Sequence, residues 1–210
     1  MNPNLLADFK RDLAKTPVIA ILRGVTPATV LSVCGALVAG GVRFIEVTLN
    51  SPDPFGSIRQ AADELAAHGV HIGAGTVLAP DEVDRVVDAG GTYIISPNMD
   101  PAVIRRTRER GLISIPGFLT PSEAFAALAA GADLLKCFPA GSLGAGYIKD
   151  LKAVLPAPII AVGGVDSGNI EEYLQNGAAG VGVGSSLYKP HRSMEEIRQA
   201  AADIIARKRS

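Results

Sequence analysis

The 210 residues predict a single-domain (β/α)8 barrel, on three observations. Eight short segments rich in β-branched and small apolar residues recur along the chain, with stretches of helical periodicity between them. These segments are nearly continuous in apolar character rather than alternating, the pattern of strands buried on both faces in a parallel sheet covered by helices. Glycines precede most of them and capping residues follow, so the chain reads strand, turn, helix, turn throughout.

In chain order, residues 1–16 are charged and amphipathic, with Leu5, Leu6, Phe9 and Leu13 at helical spacing; they predict an N-terminal helix packed against the barrel bottom. The strand segments begin at Val18 (VIAIL), Arg43 (RFIEVTL), Val70 (VHIGAGT) and Thr92 (TYIIS). They continue at Leu112 (LISIP), Asp133 (DLLKCF), Pro158 (PIIAVGG) and Ala179 (AGVGVGS). Helical periodicity covers stretches such as Ala28–Ala39, Pro54–Ala67, Asp81–Ala89, Ile104–Arg110, Ser122–Ala130 and Asn169–Gln175. Gly40–Gly41, Gly69, Gly90–Gly91, Gly111, Gly131 and Gly177 stand where helices end, and Thr26–Pro27, Ser51–Pro52, Pro80–Asp81, Asp100–Pro101, Thr120–Pro121 and Ser167 where helices begin. Such units fit a barrel near the lower end of its size range, with residues 1–210 as one domain. An open doubly wound sheet is the alternative, but it usually needs a phosphate-binding loop after the first strand, and Leu22-Arg23-Gly24-Val25 offers none.

A formal net charge of −1 sets up no field to gather nucleic acid or an anionic membrane, so a small-molecule substrate is expected. The two cysteines, Cys34 and Cys137, are far apart in sequence and form no CxxC pair, which fits a reducing compartment. Neither a signal-peptide core nor a spanning apolar run is present, and the expected location is cytoplasmic.

Barrels carry their reacting groups at the C-terminal ends of strands, and Arg23, Glu46 and Lys136 are the polar residues that stand out there. Alternation places Lys136 on one face with Leu134 and Phe138, and Glu46 on one face with Phe44 and Thr48. A lysine inside a barrel is driven toward its neutral, nucleophilic form and can form an imine with a ketone; equally, it can be an ion-pair partner or a phosphate ligand. Glu46 reads as a general acid/base or as the partner of Lys136 or Arg23. Arg23 reads as a bidentate carboxylate clamp or as a barrel-mouth ion pair.

An independent signal comes from the last two strands. Ala161-Val-Gly-Gly-Val165 and Val181-Gly-Val-Gly-Ser-Ser186 end them with bare backbone N–H groups, the usual barrel phosphate site. The three histidines, His68, His71 and His191, fall at helix ends or strand starts, away from the reactive face, so no metal is expected.

Taken together and in order, Pro17-Val-Ile-Ala-Ile-Leu-Arg23, Ile45-Glu46-Val-Thr-Leu-Asn50, Gly73-Ala-Gly-Thr-Val77, Ser96-Pro-Asn98, Leu135-Lys136-Cys-Phe-Pro139 and Val162-Gly-Gly-Val165 are specific. Over roughly residues 17–188 the chain resembles the 2-keto-3-deoxy-6-phosphogluconate/galactonate class I aldolase family. The resemblance implies Lys136 as the Schiff-base lysine and Glu46 as the acid/base. It implies Arg23 and Thr76 at the pyruvyl carboxylate, Pro97 and Phe138 shaping the pocket, and Gly163, Gly164, Gly184 and Ser185 at the phosphate. It also implies a homotrimer; no cofactor is expected. Leu49-Asn50-Ser51-Pro52 and Val162 look like the phosphogalactonate branch, which implies cleavage of 2-dehydro-3-deoxy-6-phosphogalactonate to pyruvate and glyceraldehyde 3-phosphate. A phosphosugar isomerase or binding barrel would share the glycine loops but leave Lys136 and Glu46 together unexplained.

Overall fold

The computed structural model describes residues 4–207. Nine parallel strand segments form one sheet, β1 (Val18–Leu22), β2 (Phe44–Thr48), β3 (His71–Gly75), β4 (Tyr93–Ile95), β5 (Ile113–Ile115), β6 (Gly117–Phe118), β7 (Leu135–Cys137), β8 (Ile159–Val162) and β9 (Gly180–Val183). Their spatial order is β5-β4-β3-β2-β1-β9-β8-β7-β6. The two ends of that order, β5 and β6, are consecutive pieces separated only by Pro116; the fifth expected segment, residues 112–116, covers the first, and the second extends it. Ile113–Ile115 pairs with β4 and Gly117–Phe118 with β7, so the fifth segment closes the ring and the fold is the (β/α)8 barrel. Proline lacks the N–H a ladder requires, which breaks the strand there; its carbonyl still accepts from the Lys136 N–H at 2.8 Å.

Helices alternate with the strands: α1 (Leu5–Lys15), α2 (Val30–Ala39), α3 (Pro54–Leu65), α4 (Pro80–Asp88) and α5 (Pro101–Glu109) come first. They are followed by α6 (Pro121–Ala130), α7 (Ala145–Lys152), α8 (Ile170–Gln175) and α9 (Met194–Arg207). The expected boundaries hold to within about three residues, and α7 and α9 complete the pattern. The expected terminating glycines adopt left-handed φ, for example 106° at Gly131 and 69° at Gly69. Asp100 and Thr120 cap α5 and α6 with their side chains, whereas α3 is capped by Asp53 and α2 begins after Thr29, both a few residues beyond the expected starts. Among the described residues, no helix is long and apolar enough to cross a membrane.

Two apolar layers result. The larger lies between the sheet and the helices; the smaller fills the barrel interior with Ile19, Phe44, Tyr93, Ile95, Ile113, Ile115, Leu134 and Ile160. The N-terminal helix closes that interior from below, as its periodicity predicts, with residues 1–3 outside the described residues. Phe9 and Leu13 are buried one turn apart, and the Phe9 ring meets Phe44 at 4.8 Å and Tyr93 at 5.3 Å between centroids, both edge-on. His71 stacks on Phe44 at 4.7 Å, and its Nε2 lies 3.2 Å from the Asp12 carboxylate, tying the helix to the start of β3. This histidine therefore belongs to the barrel floor.

Replacing Phe9 by Ala should remove the centre of this plug and lower stability by about 3–5 kcal/mol, as large-to-small changes at fully buried aromatics do. Urea unfolding measures it; a loss below about 1 kcal/mol would mean that α1 does not anchor the floor.

Candidate active site

Above the apolar floor, at the C-terminal ends of the strands, lies a cavity of about 550 Å³. The residues expected to react with or bind the substrate all line it: Arg23, Glu46, Thr76, Pro97, Lys136, Phe138, Val162, Gly163, Gly164, Gly184 and Ser185. They come from seven of the nine strand segments or the loops that follow them, which is why no local stretch of sequence displays the site.

Glu46 and Lys136 are almost fully buried, 2% and 6% exposed, on the inward faces of β2 and β7. Burial pushes the Glu46 carboxyl up to about 7, with the nearby Lys136 and Arg23 charges opposing the shift. Burial likewise lowers the Lys136 ammonium below the usual lysine value; the Glu46 charge resists this and Arg23 reinforces it. Each group is thus held closer to its neutral form than in water. The Lys136 Nζ also lies 4.9 Å from the centroid of the Phe138 ring, so this half-exposed aromatic forms one wall beside the amine.

Two glycines of β3 make room for this arrangement. Gly73 is the register partner of Glu46, and a Cβ there would fall 2.5 Å from the Tyr93 ring. A Cβ on Gly75 would overlap a carboxylate oxygen of Glu46. Inward positions of β3 are therefore left empty so that its neighbours' side chains can cross them. Two glycines spaced by one residue in a buried strand are the sequence signal for this. The Tyr93 hydroxyl, beneath the cavity, finds no hydrogen-bond partner among the described protein groups.

Thr76 follows directly, with φ 59°. A β-branched residue in the left-handed region costs about 1–3 kcal/mol, a conformation that persists only where surrounding contacts enforce it, and such strain concentrates at functional sites. Pro97 enters the cavity because the 97–98 backbone lies directly over Gly117, where a side chain would collide with it. Asn50 does not line the cavity; next to it, buried Ser51 accepts from the Gly24 N–H at 2.9 Å and so steadies the turn just after Arg23. Val162 does line the cavity.

At the other end, Gly163 and Gly164 take φ 95° and 77°, conformations open to glycine, and face Gly184 and Ser185 across the same opening. Ser186 Oγ donates to the Val165 carbonyl at 3.0 Å, joining the two loops. The sequence reading did not single out Asp166, Tyr188, Lys189 or Pro190, which complete the rim. Asp166 lies two residues after Gly164 and Lys189 five after Gly184, and that closeness alone does not separate either from a solvated charge. Among the described residues, no group of three or more His, Cys, Asp or Glu side chains converges as a metal site would require.

The family model for KDPG and KHG aldolase matches residues 9–203. A probable 2-dehydro-3-deoxy-6-phosphogalactonate aldolase of Rhizobium meliloti (strain 1021) is 49% identical over 192 residues, covering 90% of each chain. The 2-dehydro-3-deoxy-6-phosphogalactonate aldolase of Escherichia coli (strain K12) is 45% identical over 193 residues, 91% of this chain and 94% of that one. The native KDPGal structure superposes with a TM-score of 0.89 at 44% identity, covering 92% of this chain and 94% of the other.

The raised Glu46 carboxyl has a signed consequence for stability. A free glutamate releases its proton near 4.5 and the folded one near 7, so the contribution is complete below about 4.5 and is lost as pH rises through about 7. In paired pH titrations of urea stability, Glu46→Gln should lack this decline and gain on the order of 3 kcal/mol over wild type between pH 4.5 and 8. Parallel curves for the two proteins would contradict a buried, proton-holding Glu46.

Proposed function

The chain belongs to the KDPG and KHG aldolase family, and on that premise we propose that it cleaves 2-dehydro-3-deoxy-6-phosphogalactonate to pyruvate and glyceraldehyde 3-phosphate through an imine on Lys136. It is a lyase of the class I aldolase type. The observation that carries the assignment of roles is the meeting of Lys136 and Glu46, both buried and both shifted toward neutrality, in one cavity whose far end is the paired glycine loops.

In the forward direction the neutral Lys136 amine attacks the C2 ketone, and the carbinolamine loses water, with Glu46 moving the protons, to leave an iminium. Arg23, with Thr76, holds the C1 carboxylate, and Pro97, Phe138 and Val162 set the shape around the carbon chain. Glu46 in its carboxylate form takes the C4 hydroxyl proton. The electrons of the C3–C4 bond pass into the iminium, glyceraldehyde 3-phosphate forms at C4, and an enamine of pyruvate remains on Lys136. The proton now on Glu46 returns to C3, and water hydrolyses the resulting iminium to free pyruvate and amine. A carboxyl near 7 can both accept and return that proton at neutral pH, which is what a single acid/base in a reversible C–C cleavage requires. The backbone N–H groups of Gly163, Gly164, Gly184 and Ser185 receive the C6 phosphate. No metal or cofactor enters this scheme. We further place the enzyme in the cytoplasm, as one catalytic domain per chain assembled as a homotrimer, the assembly the family resemblance implies.

Three outcomes test the reading. Borohydride reduction with pyruvate should trap wild type covalently and leave Lys136→Ala unlabelled; a variant that still cleaves substrate near the wild-type rate would remove Lys136 from the mechanism. Glu46→Gln should still be trapped while turnover falls by about 10²–10⁴-fold, the usual worth of a positioned acid/base. In a coupled assay of pyruvate release, kcat/KM should be higher for the 6-phosphogalactonate form of the keto-deoxy acid than for its C4 epimer, and the reverse order would reassign the substrate.

A further inference from the structure

We propose that Lys189 supplies the positive charge of the phosphate end of the cavity and thereby sets the preference for a phosphorylated over a neutral sugar-acid terminus. The inference rests on the aldolase reading only for the identity of the substrate; its physical basis is the charge layout of the cavity. Three cations line it, Arg23, Lys136 and Lys189. Arg23 and Lys136 both act electrostatically on Glu46, and Lys189 is absent from the charges that shift either Glu46 or Lys136. Two cations are therefore committed to the reacting end, and the third stands apart from it, among Gly163, Gly164, Gly184 and Ser185 on the rim.

The segment bearing Lys189 is held in place. The Leu187 and Tyr188 N–H groups donate to the Gly184 carbonyl at 2.9 Å, and Arg192 donates to the Ser186 and Leu187 carbonyls at 2.5 and 3.0 Å. Pro190 packs beside Gly24, across the barrel mouth. Arg192 is thereby absorbed in holding the loop, while Lys189 is exposed and, among the described residues, has neither an ion pair nor a side-chain hydrogen bond. Asp166, which lines the same cavity, accepts from the Gly168 N–H at 2.7 Å as part of its own turn. A phosphate monoester carries about −1.5 to −2 charges near neutrality, and neutral N–H groups alone leave that charge uncompensated. A flexible ammonium at the rim compensates it as a point charge without demanding the fixed geometry of a guanidinium.

The test reads binding without turnover. Calorimetry with glycerol 3-phosphate should show a roughly tenfold weaker Kd for Lys189→Met than for wild type and a flatter dependence on ionic strength. Lys189→Arg should restore binding to within about twofold, and Lys10→Met, which removes a cation from the opposite end of the barrel, should leave it unchanged. With the phosphorylated substrate, Lys189→Met should raise KM far more than it lowers kcat. A Lys189→Met protein that binds glycerol 3-phosphate as wild type does, no rescue by arginine, equal weakening by Lys10→Met, or a wild type that does not bind the probe would each overturn the inference. A wild type that binds the probe but releases no pyruvate would instead overturn the aldolase reading and leave Lys189 in its role.

Discussion

An ammonium and a carboxylate buried in one apolar barrel constrain nearly everything else in this molecule. Removing both charges from water is costly, and their mutual attraction only partly offsets it. Glu46 and Lys136 meet the cost by shifting in opposite directions toward their neutral forms, and those are the forms in which a lysine can attack a ketone and a carboxyl can return a proton. The chemistry and the strain on stability have the same origin.

That arrangement needs a dry floor and empty space beside the strands. The floor is the interior layer sealed by Phe9 and Leu13 of α1, with His71 and Asp12 as its latch. The space comes from Gly73 and Gly75, which surrender the inward face of β3 to Tyr93 and Glu46. The strained Thr76 sits at the top of the same strand, where the chain leaves the sheet to edge the cavity. β3 thus contributes mainly by absence of side chains, then by one residue forced into position.

The substrate we propose is anionic at both ends, and Arg23, Lys136 and Lys189 all line the cavity that would receive it. On the proposed reading, Arg23 and Lys136 serve the carboxylate and ketone end and the glycine loops and Lys189 the other, while Val162 and Phe138 add apolar lining to the same cavity. On that reading the two ends work by different physics: fixed side chains orient the reacting atoms, whereas backbone N–H groups and an exposed ammonium accept a compact, highly charged group.

Much of this was legible in the linear chain, because the period of a strand is local. Alternation alone put Lys136 with Leu134 and Phe138, and Glu46 with Phe44, on inward faces, and the helix-ending glycines followed from backbone sterics at single positions. The eight-unit count was legible too, although Pro116 splits the fifth strand in two. Asn50, which with Val162 marked the phosphogalactonate branch in the sequence, stands outside the cavity, and the buried neighbour on its turn is Ser51. Lys189 was passed over, since an exposed lysine after a strand is locally indistinguishable from any solvated one. Which strand ends face one another depends on ring closure and register between segments distant in the chain. So do the depth at which a carboxyl is buried and the charges it feels. Those long-range terms brought Glu46 and Lys136 into one cavity and set Lys189 beside the glycine loops, and only the closed barrel could decide them.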